Sequence, residues 1–140
     1  MDGSTETRRA AAKWGPAGNA GFQVVPDLLL KNQEALHLSP TELIVLLNIA
    51  MHWWYPEQRP FPRSSIIAKR MGVQTRTVQR AMERLRELGL MQRITETTPE
   101  GEERQVCDFS GLVAKLAKLA ETDRDYIHRM SARGAKTHEV

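Results

Sequence analysis

The chain has a single cysteine in 140 residues, Cys107, so it can form no internal disulfide and no cysteine cluster to hold a metal. Its four histidines, His37, His52, His128 and His138, are widely separated and lack ligand spacing. No apolar run approaches the length of a membrane span, and no glycine-rich phosphate loop is present. A nucleophile, a base and an orienting group cannot be assembled from the residues available. The N-terminal segment is basic (Arg8, Arg9, Lys13) but no apolar stretch follows it. These absences lead to the expectation of a non-enzyme without cofactor or metal, kept in a reducing cytoplasm and away from membranes.

What is present suits one compact domain of about 100 residues with tails. The charge is uneven. Between Arg63 and Arg93 there are eight basic residues against two acidic ones, a net of +6 within a chain whose total is +3. The remainder is therefore mildly acidic, and the basic stretch has the character of an electrostatic footprint for nucleic acid.

Residues 1–20 are rich in Gly, Ala, Thr and Arg and are expected to be a disordered tail. Phe22, Val24 and Val25 suggest a short extended segment, with Pro26 opening a helix over Asp27 to Leu36. Ser39-Pro40-Thr41-Glu42 is a strong helix start, with a hydroxyl at the cap, proline next and a glutamate three residues on. The spacing of Leu43, Leu46, Leu47, Ala50 and Trp54 extends that helix to Tyr55-Pro56. The cluster His52-Trp53-Trp54-Tyr55 is expected to close the core rather than to stack on single-stranded bases. Arg59-Pro60-Phe61-Pro62 cannot be helical and predicts a connecting strand or loop.

Ser64 or Ser65 can cap a short helix that Gly72 ends in a tight turn. A second helix follows from about Thr75 to Leu88, with Val78, Ala81, Met82, Leu85 and Leu88 on one face. Two short helices about a glycine turn form a helix-turn-helix unit. After Gly89 the period changes to alternation through Glu96, Pro99-Glu100-Gly101 signals a turn, and Arg104 to Phe109 gives a second extended run. A hairpin directly behind the second helix is a wing. Cys107 lies in its apolar part and is expected to be a buried filler. Ser110 can cap a last helix, whose apolar stripe weakens across Glu121 to Asp125.

The fold class is thus mainly α with a small β-hairpin, a winged helix-turn-helix plus a C-terminal helix. The expected boundaries are a tail at 1–20, the DNA-binding domain at 21–109, the C-terminal helix at 110–130 and a second disordered tail at 131–140. On the exposed face of the second helix, Thr75, Arg76, Gln79 and Arg80 are the residue types that read base edges, at the end that meets the bases. Arg63, Ser64, Ser65, Lys69, Thr77, Arg84, Arg93 and Arg104 are placed to contact phosphate. Glu96, Glu100, Glu102 and Glu103 make the wing tip acidic, so it is expected to avoid the DNA backbone. The last helix either packs on its own domain or pairs Leu112, Leu116, Leu119 and Tyr126 with a second copy; homodimerisation is expected, since two half-sites carry more sequence than one.

Over Phe22 to Leu112 the chain resembles the winged helix-turn-helix domains of plasmid and phage replication proteins, primosome proteins and small bacterial regulators. The resemblance is carried most specifically by Ile67-Ala68-x-Arg70-Met71-Gly72-Val73 and Thr75-Arg76-Thr77-Val78-Gln79-Arg80-Ala81. Gln74 departs from it, standing where such domains place a serine as N-cap, and Thr75 is expected to take over the cap. The resemblance implies sequence-specific binding of double-stranded DNA as a transcriptional regulator, in a bacterial cytoplasm and associated with nucleoid or plasmid. The alternative it implies is a replication or maintenance factor at an origin, with replication or transcription proteins as further partners.

Overall fold

The structure, a computed structural model, describes residues 3–55 and 57–138. The order is α1 (Gly3–Trp14), α2 (Pro16–Asn19), α3 (Asp27–Lys31), α4 (Pro40–Ala50), α5 (Ser64–Met71), α6 (Thr75–Glu87), β1 (Gln92–Thr97), β2 (Glu103–Asp108), α7 (Ser110–Ala120) and α8 (Arg124–His138). The fold is mostly helical, with one two-stranded antiparallel hairpin among the described residues.

Helix α4 starts as its sequence dictates. The Ser39 Oγ accepts from the Glu42 backbone N–H at 3.2 Å and donates to the Glu42 carboxylate, while Pro40 fills the first helical position. The helix ends earlier than its apolar spacing predicts, at Ala50, so Trp54 falls outside it and is 76% exposed. Only Trp53 of the aromatic cluster closes the core, its ring centroid 5.4 Å from that of Phe109. Trp54 and Tyr55 stay on the surface. Pro56, expected to stop the helix, lies outside the described residues.

Helix α6 packs on both α4 and α5, and Ile67, Ala68, Val78, Ala81, Met82 and Leu85 are all buried there. Both helices end in the same way. Gly72 adopts φ 69° and Gly89 φ 72°, so each can turn the chain in a conformation that side chains resist. Val73 N–H then donates to Ala68 O, and Leu90 N–H to Leu85 O, each at 3.0 Å. The expected N-caps are absent. Ser64 is the first residue of α5, after an uncapped Arg63, and Gln74 precedes α6 without a side-chain bond, leaving Thr75 inside the helix.

The hairpin runs in register from Gln92↔Asp108 to Thr97↔Glu103. Thr98 closes its turn, donating its N–H to Glu102 O at 2.7 Å and accepting the Glu102 N–H on Oγ1 at 3.0 Å. The proline-rich segment 59–62 is not a strand, yet Pro60 O accepts from Cys107 N–H at 2.8 Å, binding it to the outer edge of β2. Ser110 does not cap α7. It is the first helical residue, and the Asp108 carboxylate takes its N–H at 2.8 Å.

Three other stretches differ from expectation. Residues 3–14 and 16–19, in the stretch expected to be disordered, are helical: Ala10, Ala11 and Ala12 favour helix, and Gly18 lets α2 lie against α1, since a Cβ there would sit 2.4 Å from Ala10 O. The helix expected over Asp27 to Leu36 stops at Lys31, where the Asn32 side chain and backbone N–H both donate to Leu28 O. The C-terminal helix is two helices, and α8 continues through residues expected to be a tail. The last of these, 139–140, lie outside the described residues.

Candidate nucleic-acid interface

The buried face of α6 is set by Val78, Ala81, Met82 and Leu85. Each large side chain so buried contributes about 1.5–3 kcal/mol, so the helix has one stable roll angle. That angle puts Arg76, Gln79 and Arg80 in solvent, with Thr75 and Thr77 half-buried beside them. At 100° per residue, Arg76, Arg80, Glu83 and Glu87 form one outward ridge. The ridge is divided. Its two glutamates are occupied: Arg86 donates to both oxygens of Glu83, including contacts of 3.1 Å, and Arg84 lies 3.5 Å from Glu87. The hydrogen bonds from Arg86 hold the Glu83 carboxyl below its ordinary pKa. Arg76 and Arg80, on the first two turns, have no ion-pair partner among the described residues. Their charge is therefore available at the end of the helix that opens from the glycine turn.

The residues expected to touch phosphate fall into two groups. Arg63, Ser64 and Ser65 surround the start of α5, while Lys69 is exposed on its last turn. Arg84 is turned elsewhere: its Nε lies 3.8 Å from Glu42 and links α6 to the start of α4. A pair this long, with Arg84 half exposed, is worth only about 0–1 kcal/mol, so it biases Arg84 without fixing it. Arg93 stands on β1 opposite Cys107, and Arg104 on β2 opposite Glu96.

Sequence reasoning missed the group behind the wing. Arg59 Nε donates to Asp108 Oδ2 at 2.8 Å and Arg59 Nη1 to Glu96 Oε1 at 3.0 Å. These bonds raise the Arg59 pKa. Asp108 is held low, first by the Ser110 hydroxyl and N–H and then by Arg59. Two guanidinium groups lie over the Phe61 ring, Arg104 Cζ 4.5 Å and Arg63 Cζ 6.0 Å from its centroid. The one sequence signal for this arrangement was an aromatic held between two prolines, beside arginines. Glu96, expected to be a repelling charge, is thus neutralised by Arg59, with Arg104 Nη2 also 3.9 Å away.

The stripe expected to pair two copies is partly consumed within the chain. Leu112 and Leu116 are 5% and 8% exposed, in the core with Leu29 and Leu46, and Leu119 packs against the same cluster. Tyr126 alone of the four is exposed, on α8, where Lys31 pairs with Asp125 at 2.6 Å. The stripe reads as a packing surface because α7 folds back over α3. Among the described residues no group of three or more His, Cys, Asp and Glu could hold a metal, and no helix is long and apolar enough to cross a membrane.

No curated protein matches the chain. Among solved structures it is similar to one described as a possible transcriptional regulator from Methanosarcina mazei Go1, at 16% identity and a TM-score of 0.42, over 81% of this chain and 84% of that one. The family model for a helix-turn-helix domain matches residues 36–91, from the end of the turn after α3 to the residue before β1. Residues 36–91 thus match the helix-turn-helix domain family, and with the β1–β2 hairpin behind them the fold is a winged helix-turn-helix.

Proposed function

We propose that the chain binds duplex DNA sequence-specifically, with α6 in the major groove, and acts as a transcriptional regulator by occupying its site. The observation that carries this is the division of the α6 ridge: Arg76 and Arg80 are uncompensated at the leading end, while the later glutamates are already paired. Arginine reads guanine bidentately and glutamine reads adenine, so Arg76, Gln79 and Arg80 supply the chemistry of a reading head, with Thr75 offering a methyl to thymine. Arg63 just before α5 and Ser64, Ser65 and Lys69 on it fix its register by holding phosphate, and Thr77, Arg84 and Arg93 add to that grip.

Fluorescence anisotropy on random duplex DNA across a salt series tests the binding. Each neutralised phosphate contributes about −0.9 to the slope of log K against log salt. Binding that is absent, or indifferent to salt, refutes the proposal. Arg76→Ala and Arg80→Ala should each cost on the order of 1–3 kcal/mol on a selected site and relax its sequence at one position, whereas Lys69→Ala weakens every sequence alike. Selection of sites from random duplex then separates the two roles. Promoter sites support regulation, and repeats beside an origin support the replication alternative.

A further inference from the structure

We infer that Phe61 is a positioning residue for DNA, mounting Arg63 and Arg104 as a paired grip on the phosphate backbone, so that the wing reaches that backbone through Arg104 although its tip carries glutamates. This rests on the DNA-binding proposal above and adds a residue and a mechanism to it.

Arg63 and Arg104 are 41 residues apart in sequence and lie on different elements, yet both guanidinium groups face one ring. Two like charges have no electrostatic reason to gather at an exposed site. The negative face of the ring offsets part of their repulsion, since a guanidinium within about 6 Å of an aromatic centroid is attracted to it. The ring itself is held. Prolines on both sides fix the backbone, Pro60 O is bonded to Cys107 N–H, and Arg59 anchors the segment to Asp108 and Glu96 at the two ends of the sheet face.

The partners of Glu96 complete the arrangement. Its Oε1 takes the Arg59 hydrogen bond at 3.0 Å, whereas Arg104 Nη2 stands off at 3.9 Å from Oε2. Arg59 thus takes the hydrogen bond to the glutamate, and Arg104 is left with a loose ion pair at 3.9 Å that an outside anion can replace. Arg63 immediately precedes Ser64, the start of α5, which in helix-turn-helix docking faces the backbone. A rigid ring linking that point to β2 turns the wing and the helix pair into one basic surface. Its ligand is the phosphodiester backbone of duplex DNA.

The test is the salt dependence of binding to random duplex by Phe61→Leu and Phe61→Tyr, with Arg63→Gln and Arg104→Gln beside them, each confirmed as folded by circular dichroism. Each glutamine variant should flatten the slope by about one unit. Phe61→Leu removes no charge, yet should weaken binding about threefold to tenfold and flatten the slope, as expected from losing a cation–π mount. Phe61→Tyr should restore both. Wild-type affinity and slope in Phe61→Leu would overturn the inference while leaving α6 recognition intact. Should Phe61→Leu fail to fold, an unchanged slope in Arg63→Gln and Arg104→Gln overturns it equally. Loss of all salt-dependent binding by the wild type would overturn the DNA-binding proposal and this inference together.

Discussion

Gly111→Ala should destabilise the fold even though it places alanine in a helix. Gly111 is the second residue of α7 and has no positive φ, so the dihedral cost of a side chain is small. Helix propensity alone would favour alanine by up to about 1 kcal/mol. Against this, a Cβ at position 111 would sit 2.1 Å from Gly89 O and 3.2 Å from Gly89 C. Carbon and carbonyl oxygen ordinarily approach no closer than about 3.3 Å, so the two backbones would have to part by more than 1 Å. Neither can do so cheaply. Gly89 is fixed in the left-handed turn by its N–H to Arg86 O at 2.9 Å and by Leu90 N–H to Leu85 O, and α7 is fixed by Leu112 and Leu116 in the core. Overpacking of this kind costs about 1–3 kcal/mol or more, so the steric term wins. With an m-value of about 1–3 kcal/mol/M, urea unfolding followed by circular dichroism should show a midpoint lower by about 1 M at unchanged m. Gly72→Ala is the companion measurement, because its φ is 69° with nothing within 4 Å of the added Cβ. It should cost only the left-handed backbone term of about 1–2 kcal/mol. A Gly111→Ala protein as stable as the wild type, or more so, would refute the close approach of α7 to the turn after α6.

Three further outcomes are expected. Ser39→Ala removes the oxygen that accepts the Glu42 N–H and should lower stability by about 0.5–2 kcal/mol in the same unfolding assay. Leu116→Ala should cost about 2–5 kcal/mol as a core truncation and leave the mass in light scattering unchanged, because that side chain is buried within its own chain. Cys107 is fully buried, and burial pushes its thiol from 9.0 up to about 11, opposed weakly by Arg93. Its folded pKa lies above the unfolded one, so the stability it contributes is present below pH 9 and declines as pH rises toward about 11. Cys107→Ala should remove that segment of the alkaline decline, read as unfolding midpoints at pH 8, 9 and 10.

The parts of the fold legible in the sequence are those decided within a few residues. Ser39-Pro40-Thr41-Glu42 starts a helix because its cap bonds are local, and Gly72 and Gly89 end helices because the turn needs their φ. The α6 face follows from the spacing of Val78, Ala81, Met82 and Leu85 alone. What escaped depends on partners distant in the chain. Trp54 fits the α4 spacing, but the helix stops before it and Trp53 takes the place against Phe109. Leu112 and Leu116 have the same pattern whether they meet a second copy or their own core, and only the path of α7 decides between them. Helix α1 was lost to composition, since alanine-rich sequence resembles a tail until a glycine such as Gly18 gives it a neighbour. In the interface, the exposed arginines of α6 could be read from periodicity. The Phe61 group could not, because Arg63 and Arg104 meet only once β2 is laid beside the proline segment.

The matching glycine endings of α5 and α6 fix more than the lengths of two helices. One residue added to α6 between Gln79 and Gly89 would turn everything beyond it by about 100° and advance it by about 1.5 Å. The hairpin begins three residues after Gly89, so such an insertion would swing the wing away from the side on which Arg76 and Arg80 project. The chain should therefore tolerate exchange of side chains between Gly72 and Gly89 far better than any change in their number, and the phase between the Arg76–Arg80 end of α6 and the wing is set by counting residues.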